Sequence, residues 1–201
     1  MSDVFTTGIL QRGRDGKLVE EGNGYQVDRS QRIRLGSADP DFTMGWRHDI
    51  NYKNISLGLM ITGRFGGIVT SQTQAFMDAF GVSKVSAEAR DNGGVMLDGH
   101  RYDAERYYNT VGGQGLMSYY TYDATNVRLQ ELSLTYSLPN KWLGDVFNNA
   151  TISFVGRNLF MFYRKAPFDP DMNGSTGTYN RSDFFMAPSL RNLGFSIKFS
   201  L

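Results

Sequence analysis

The chain has 201 residues, 13% of them aromatic and 40% hydrophobic, with a formal net charge of +1 and no cysteine. The missing cysteine excludes a disulfide framework, a cysteine-ligated zinc and a cysteine nucleophile. A near-neutral charge without a long Lys/Arg run gives no electrostatic case for nucleic acid as a partner. No run of about 18 apolar residues could form a transmembrane helix, and the opening "MSDVFTTGIL" does not read as a secretory signal. A membrane-spanning β-structure stays open, because its segments need only about 9–11 residues each.

In chain order, Val4 to Leu10 is a candidate first strand. Residues 11–40 are Gly-rich and charged and read as an excursion, with a small hairpin over "GKLVEEGNGYQV". "FTMGWRHDINY" then alternates, with Phe42, Met44, Trp46, His48, Ile50 and Tyr52 on one parity and Thr43, Gly45, Arg47, Asp49 and Asn51 on the other. "NISLGLMITGRF" repeats the pattern with Ile55, Leu57, Leu59 and Ile61. The two runs meet at Tyr52-Lys53-Asn54, which predicts a tight hairpin.

Residues 66–126 form a long excursion. Inside it "SQTQAFMDAFG" predicts a short helix, capped by Ser71 at its start and stopped by Gly81. "NVRLQELSLTYSL" alternates through Leu132, Leu134, Tyr136 and Leu138. The short link "PNKWLGDVFNN" predicts a turn of helix around Trp142, and "ATISFVGRNLFMF" is the next strand. Residues 163–189 are a second long excursion. The last run, 190–201, sets Leu193, Phe195, Ile197, Phe199 and Leu201 against Asn192, Gly194, Ser196, Lys198 and Ser200.

These strands are predicted at about 11–13 residues, twice the usual soluble length of about 5–6. Their links run short, long, short, long. A β-sandwich lacks that asymmetry, whereas outer-membrane barrels have short periplasmic turns and long outer loops. Period-two alternation is what lipid on one face and a wet lumen on the other impose. The fold expected is all-β: an antiparallel meander of long strands forming part of a large transmembrane β-barrel, with a short helix in an external loop.

Several stretches also resemble a known family. "LGSADPDF" (35–42) is similar to a Gly-Asn-x-Asn-Pro-Asp-Phe segment, and "YKNISLGLMITGRFGG" (52–67) to a Tyr-Lys-x-Phe-Ser-Leu hairpin ending in Gly-x-x-Gly-Gly. "VRLQELSLTYSLPNKWL" (127–143) resembles a Leu-Arg-Leu-Lys-Glu-Leu-Ser-Leu segment, and "VGRNLFMF" with "FDPDMN" a Gly-x-Asn-Leu-Phe … Asp-Pro-Glu run. The family is the SusC/RagA-type TonB-dependent outer-membrane transporters of Bacteroidetes. Its final residue is usually Phe, where this chain has Leu201.

The resemblance implies that residues 1–201 are the C-terminal segment of a barrel of about 22 strands, without the plug and earlier strands. It implies an importer of oligosaccharides or peptides in the outer membrane, with its C-terminus in the periplasm. The partners implied are a SusD-like lipoprotein lid, the TonB complex acting through the N-terminal part, outer-membrane lipids and a glycan or peptide substrate. It implies neither an enzyme nor a cofactor. The alternative reading is a soluble carbohydrate-binding β-domain.

No catalytic constellation is present. His48 and His100 are far apart in sequence, and no serine sits in a Gly-x-Ser-x-Gly elbow. "GRFGG" (63–67) lacks the Lys-Ser/Thr of a phosphate loop, so its glycines are expected to turn the chain at a strand exit. "DPDMNG" (169–174) begins like a calcium loop through Asp169 and Asp171, but its twelfth position is Asn180, so no metal site is assigned and a turn-rich loop is expected. Tyr102, Tyr107, Tyr108, Tyr119, Tyr120 and Tyr122 cluster in or beside the long excursion. Tyr119, Tyr120 and Tyr122 suit an aromatic girdle at a membrane boundary. Tyr107, Tyr108, Tyr119 and Tyr120 are the candidate substrate-binding residues, by stacking on sugar rings or peptides.

Overall fold

The computed structural model describes residues 3–143, 147–171 and 182–200. In chain order its main elements are β1 (Asp3–Leu10), β2 (Val27–Ser37), β3 (Phe42–Tyr52), β4 (Ile55–Phe65), β5 (Ile68–Ser71), α1 (Gln72–Ala79), α2 (Lys84–Asp91), α3 (Ala104–Val111), β6 (Thr121–Asp123), β7 (Asn126–Ser137), β8 (Asn149–Arg164), β9 (Ser182–Asp183) and β10 (Asn192–Ser200). The chain divides into two compact units. A sheet unit takes its described residues from Pro40–Gly66, Ala124–Asp171 and Ala187–Leu201; a mixed unit takes its own from Met1–Asp39, Gly67–Asp123 and Met172–Met186.

The sheet unit is one five-stranded sheet in the order β10–β8–β7–β4–β3. Every pairing is antiparallel. Successive long strands are therefore neighbours, which is the expected meander. Tyr52, Ile55, Tyr136, Ile152 and Ile197 form one cross-strand row near one end of the sheet. Both short links close at that end. Lys53 and Asn54 alone join β3 to β4, and Lys53 takes φ 51°, the left-handed conformation that tight hairpin turns demand. Between β7 and β8 the chain makes a 3₁₀ turn over Asn140–Trp142, where the Trp142 N–H donates to the Pro139 carbonyl at 2.9 Å. The long excursions leave from the other end. Gly66 sits there at φ 74°, and a Cβ on it would run into the Asp41 carboxylate, so the strand exit requires glycine.

A bulge between Leu129 and Glu131 interrupts β7 against both neighbours. It shifts parity by one residue. Leu129 thereby joins Leu132, Leu134 and Tyr136 on one face, a change that strict alternation did not foresee.

The mixed unit adds to the expectation of an excursion with a small hairpin over residues 11–40. The small hairpin is there, at Glu20–Glu21 and Gly24–Tyr25. Beyond it, however, Val27–Ser37 is an 11-residue strand paired antiparallel with β1. Its sequence, "VDRSQRIRLGS", is polar on both parities over most of its length, so no hydrophobic period marked it. The predicted helix over 71–81 forms as α1. Ser71 Oγ accepts from the Gln74 N–H at 3.0 Å. The Gly81 and Val82 N–H groups donate to Asp78 O and Met77 O at 3.0 and 2.9 Å, with Gly81 at φ 71°. That is a Schellman ending. Two further helices, α2 and α3, were not foreseen. Ser83 caps α2 and Asp103 caps α3. Ala104, Tyr107, Tyr108 and Val111 make the buried stripe of α3, which packs with Leu10, Leu18, Tyr25, Ala75, Leu116 and Tyr120 as the core.

Candidate functional site

The sheet has two chemically opposite faces. Ile50, Leu57, Leu134, Phe154 and Phe195 lie side by side across the five strands. The next row holds Tyr52, Ile55, Tyr136, Ile152 and Ile197. On the other face, Asn51, Ser56, Thr135, Ser153 and Ser196 form the matching row. Arg157 Nε donates to Glu131 Oε2 at 2.9 Å on this face, and the hydroxyls of Thr135 and Ser153 are 2.9 Å apart. Lys198 pairs with Thr151 in the same set.

The apolar face is uncovered. Phe195 is 66% exposed, Leu193 65% and Trp46 49%. A contiguous oily face spanning five strands is far beyond what a water-facing surface tolerates. Its height fits a bilayer. From Phe42 to Tyr52, at about 3.4 Å per residue and a barrel tilt of about 40°, β3 rises about 26 Å, against an apolar band of about 25 Å. Aromatics sit toward both ends. Phe42 and Phe65 stack at 4.6 Å at one, and Phe147 packs on Phe199 at 5.2 Å at the other. His48, on the apolar parity, stacks on Trp46 at 5.5 Å. Leu201 lies outside the described residues.

The tyrosines fall in the mixed unit. Tyr107, Tyr108 and Tyr120 are buried core residues. Tyr107 meets Tyr108 edge-on at 5.2 Å, and Tyr102 meets Tyr25 at 5.6 Å. Tyr102 also accepts the Leu18 N–H at 3.1 Å. Burial, reinforced by the Asp78 carboxylate, pushes the hydroxyls of Tyr108, Tyr120 and Tyr122 up from their ordinary range. Of the four candidate substrate contacts, Tyr119 is the exposed one, at 40%. The other three have their rings engaged in packing, and so deep a position does not suit Tyr120 to a membrane girdle. The amphipathic stripe of α3 was the signal that marks Tyr107 and Tyr108 as core; Tyr120, beyond that helix, carried no such signal.

Asp169 and Asp171 are not arranged as a metal site. Both carboxylates lie 2.7 Å from Arg128 Nη2, and the Arg128 side chain is 6% exposed. The guanidinium occupies the place a cation would take. Burial raises the Asp169 carboxyl, but hydrogen bonds from Ser189, Arg128 and the Asp171 backbone outweigh it and hold it below the usual carboxylate value. Residues 172–181 of that loop lie outside the described residues. Among the described residues no group of three His, Cys, Asp or Glu could hold a metal ion.

No family model matches the chain. It is 29% identical over 188 residues to TonB-dependent receptor P3 of Formosa agariphila, covering 89% of this chain and 18% of that receptor. The likeness is to a TonB-dependent receptor. TonB-dependent receptor P26 of the same organism is 26% identical over 156 residues, covering 76% of this chain and 15% of that receptor. The chain thus spans under a fifth of the curated receptors it matches. The RagAB peptide importer in its open-open state superposes with a TM-score of 0.64 at 16% identity, over 99% of this chain and 22% of that one. The RagAB peptide transporter gives 0.59 at 13% identity, over 98% and 22%. At these identities the solved structures establish the fold alone.

Proposed function

We propose that the chain supplies barrel wall and external loops to a TonB-dependent outer-membrane importer of oligosaccharides or peptides. A SusD-like lipoprotein acts as its external lid. TonB delivers force through a part of the receptor other than these residues. The short links and the end of β10 share one end of the sheet, where the Asn148 N–H donates to the Ser200 carbonyl at 2.9 Å. That end is periplasmic on this reading, because barrels keep their short turns there. Among the candidate tyrosines, Tyr119 is the one we assign to cargo contact.

The observation that carries the proposal is the uncovered apolar face running unbroken across five strands, backed by a polar one. In hydrocarbon every backbone group must be bonded within the protein, so a sheet of this kind spans a membrane as part of a closed barrel. A soluble carbohydrate-binding domain would leave Phe195, Leu193 and Ile197 in water for no return. The test places nitroxide labels singly at positions 193–199 of the receptor in its outer membrane. Labels at odd positions should relax with a lipid-soluble collider and those at even positions with a water-soluble one. A flat profile along the strand refutes the reading.

A further inference from the structure

The mixed unit holds a cleft of about 300 Å³ between α1, α2 and α3, lined by Asp78, Phe80, Ser86, Arg90, Glu105 and Tyr108 with their neighbours. Asp78 is the unusual member. It is 5% exposed, and its side chain receives a hydrogen bond from Gln74 Nε2 at 2.7 Å. None of the ion pairs among the described residues includes it. Its charge helps to raise the hydroxyls of Tyr107, Tyr108, Tyr120 and Tyr122. Arg90, the basic residue of the cleft, has Nη1 on the Gly81 carbonyl at 2.7 Å instead. A buried carboxylate without a counter-ion is costly, and folded proteins avoid it by pairing or coordination.

We infer that this cleft binds the primary ammonium group of a small ligand, which supplies Asp78 with the cation that no ion pair among the described residues gives it.

The cleft suits an ammonium better than a metal. Among the described residues no set of three carboxylate, imidazole or thiol groups is arranged to hold a metal ion. An ammonium carries three donors and no acceptor; Asp78, Glu105 and Asn109 are the acceptor-bearing residues of the lining, and its one cation, Arg90, is turned onto the Gly81 carbonyl. Ala79, Phe80 and Ala104 supply an apolar wall for the carbon skeleton. The volume is at the lower end of ligand sites, about 300–1,000 Å³, which fits one or two residues of a peptide or one amino sugar. Both present the same protonated amine.

The inference rests on the mixed unit alone, so it stands or falls separately from the membrane reading of the sheet. The receptor carrying this chain, purified in detergent, is titrated calorimetrically at pH 7 with trialanine and N-acetyl-trialanine, and with glucosamine and N-acetylglucosamine. The free amine of one pair should bind at least tenfold more tightly than its acetylated form, and the pair that does so identifies the ligand class. Asp78→Asn keeps the shape and a hydrogen-bond acceptor for Gln74, and should abolish that preference. Ala79→Leu narrows the cleft without touching its charge and should weaken binding similarly, which keeps the test decisive if Asp78→Asn fails to fold. Equal affinity for amine and amide, binding indifferent to both variants, or no heat from either pair overturns the proposal.

Discussion

Leu59 and Met60 are neighbours on β4 that point to opposite faces. Leu59 pairs with His48 and Leu132 in the apolar row; Met60 pairs with Arg47 and Glu131 on the polar face. The row of Leu59 lies near the middle of the apolar height of β3, between Phe42 and Tyr52. A lysine on the lipid face costs about 2–4 kcal/mol at the bilayer midplane and about 0–1 near the interface. Leu59→Lys should therefore shift the folding equilibrium by about 30- to 700-fold, at tenfold per 1.4 kcal/mol. Ile197 is four residues along β10 from Leu193, which shares the row of Leu59. At about 3.4 Å per residue and a tilt of about 40°, that is about 10 Å off the midplane. Ile197→Lys should accordingly cost about 1 kcal/mol. Met60→Lys faces water beside Glu131 and should cost little. The assay is refolding of the receptor into lipid vesicles across a urea series, read by the heat-dependent shift of the folded band on a gel. Equal losses at Leu59 and Met60, or a larger loss at Ile197 than at Leu59, would mean that the face or the depth is wrongly assigned.

Arg128→Ala leaves the buried Asp169 carboxylate without its cation, while the part-exposed Asp171 keeps Arg64 Nη1 at 3.8 Å. Breaking such a pair costs about 3–5 kcal/mol, and amide exchange should rise at Asp171 and Ser189, whose N–H groups donate to Asp169 at 3.1 and 3.3 Å. Because the Asp169 pKa is lowered by folding, its ionised form stabilises the native state above the unfolded value of 3.8, and that contribution disappears as pH falls through the lower folded value. An acid-unfolding curve should show the loss below about pH 4 in the native receptor, and Asp169→Asn should flatten that stretch. Ser71→Ala removes both the cap on Gln74 and a 2.8 Å hydrogen bond to Asp183. A cost of about 1–2 kcal/mol follows, visible as faster amide exchange in the first turn of α1; unchanged exchange would show that the cap is not needed.

What could be read in the residues was whatever repeats locally. Alternation has a period of two, so each of β3, β4, β7 and β10 announced its faces within its own stretch, and the Lys53–Asn54 hairpin and the Ser71 cap needed only their immediate neighbours. Even there the bulge at Gln130, which moves Leu129 to the apolar side, went unseen, because pairing with β4 and β8 reveals it. The mixed unit depends on contacts between distant segments. The Leu18 N–H meets the Tyr102 hydroxyl 84 positions away, and the Tyr25 N–H meets Thr110 Oγ1 85 away. No local period encodes those contacts. Sequence therefore listed the tyrosines and aspartates, and the tertiary structure decided their environments. Tyr107, Tyr108 and Tyr120 became core, Asp169 and Asp171 gained Arg128, and Asp78 was buried without a cation, because burial and charge pairing are set by which segments the fold brings together.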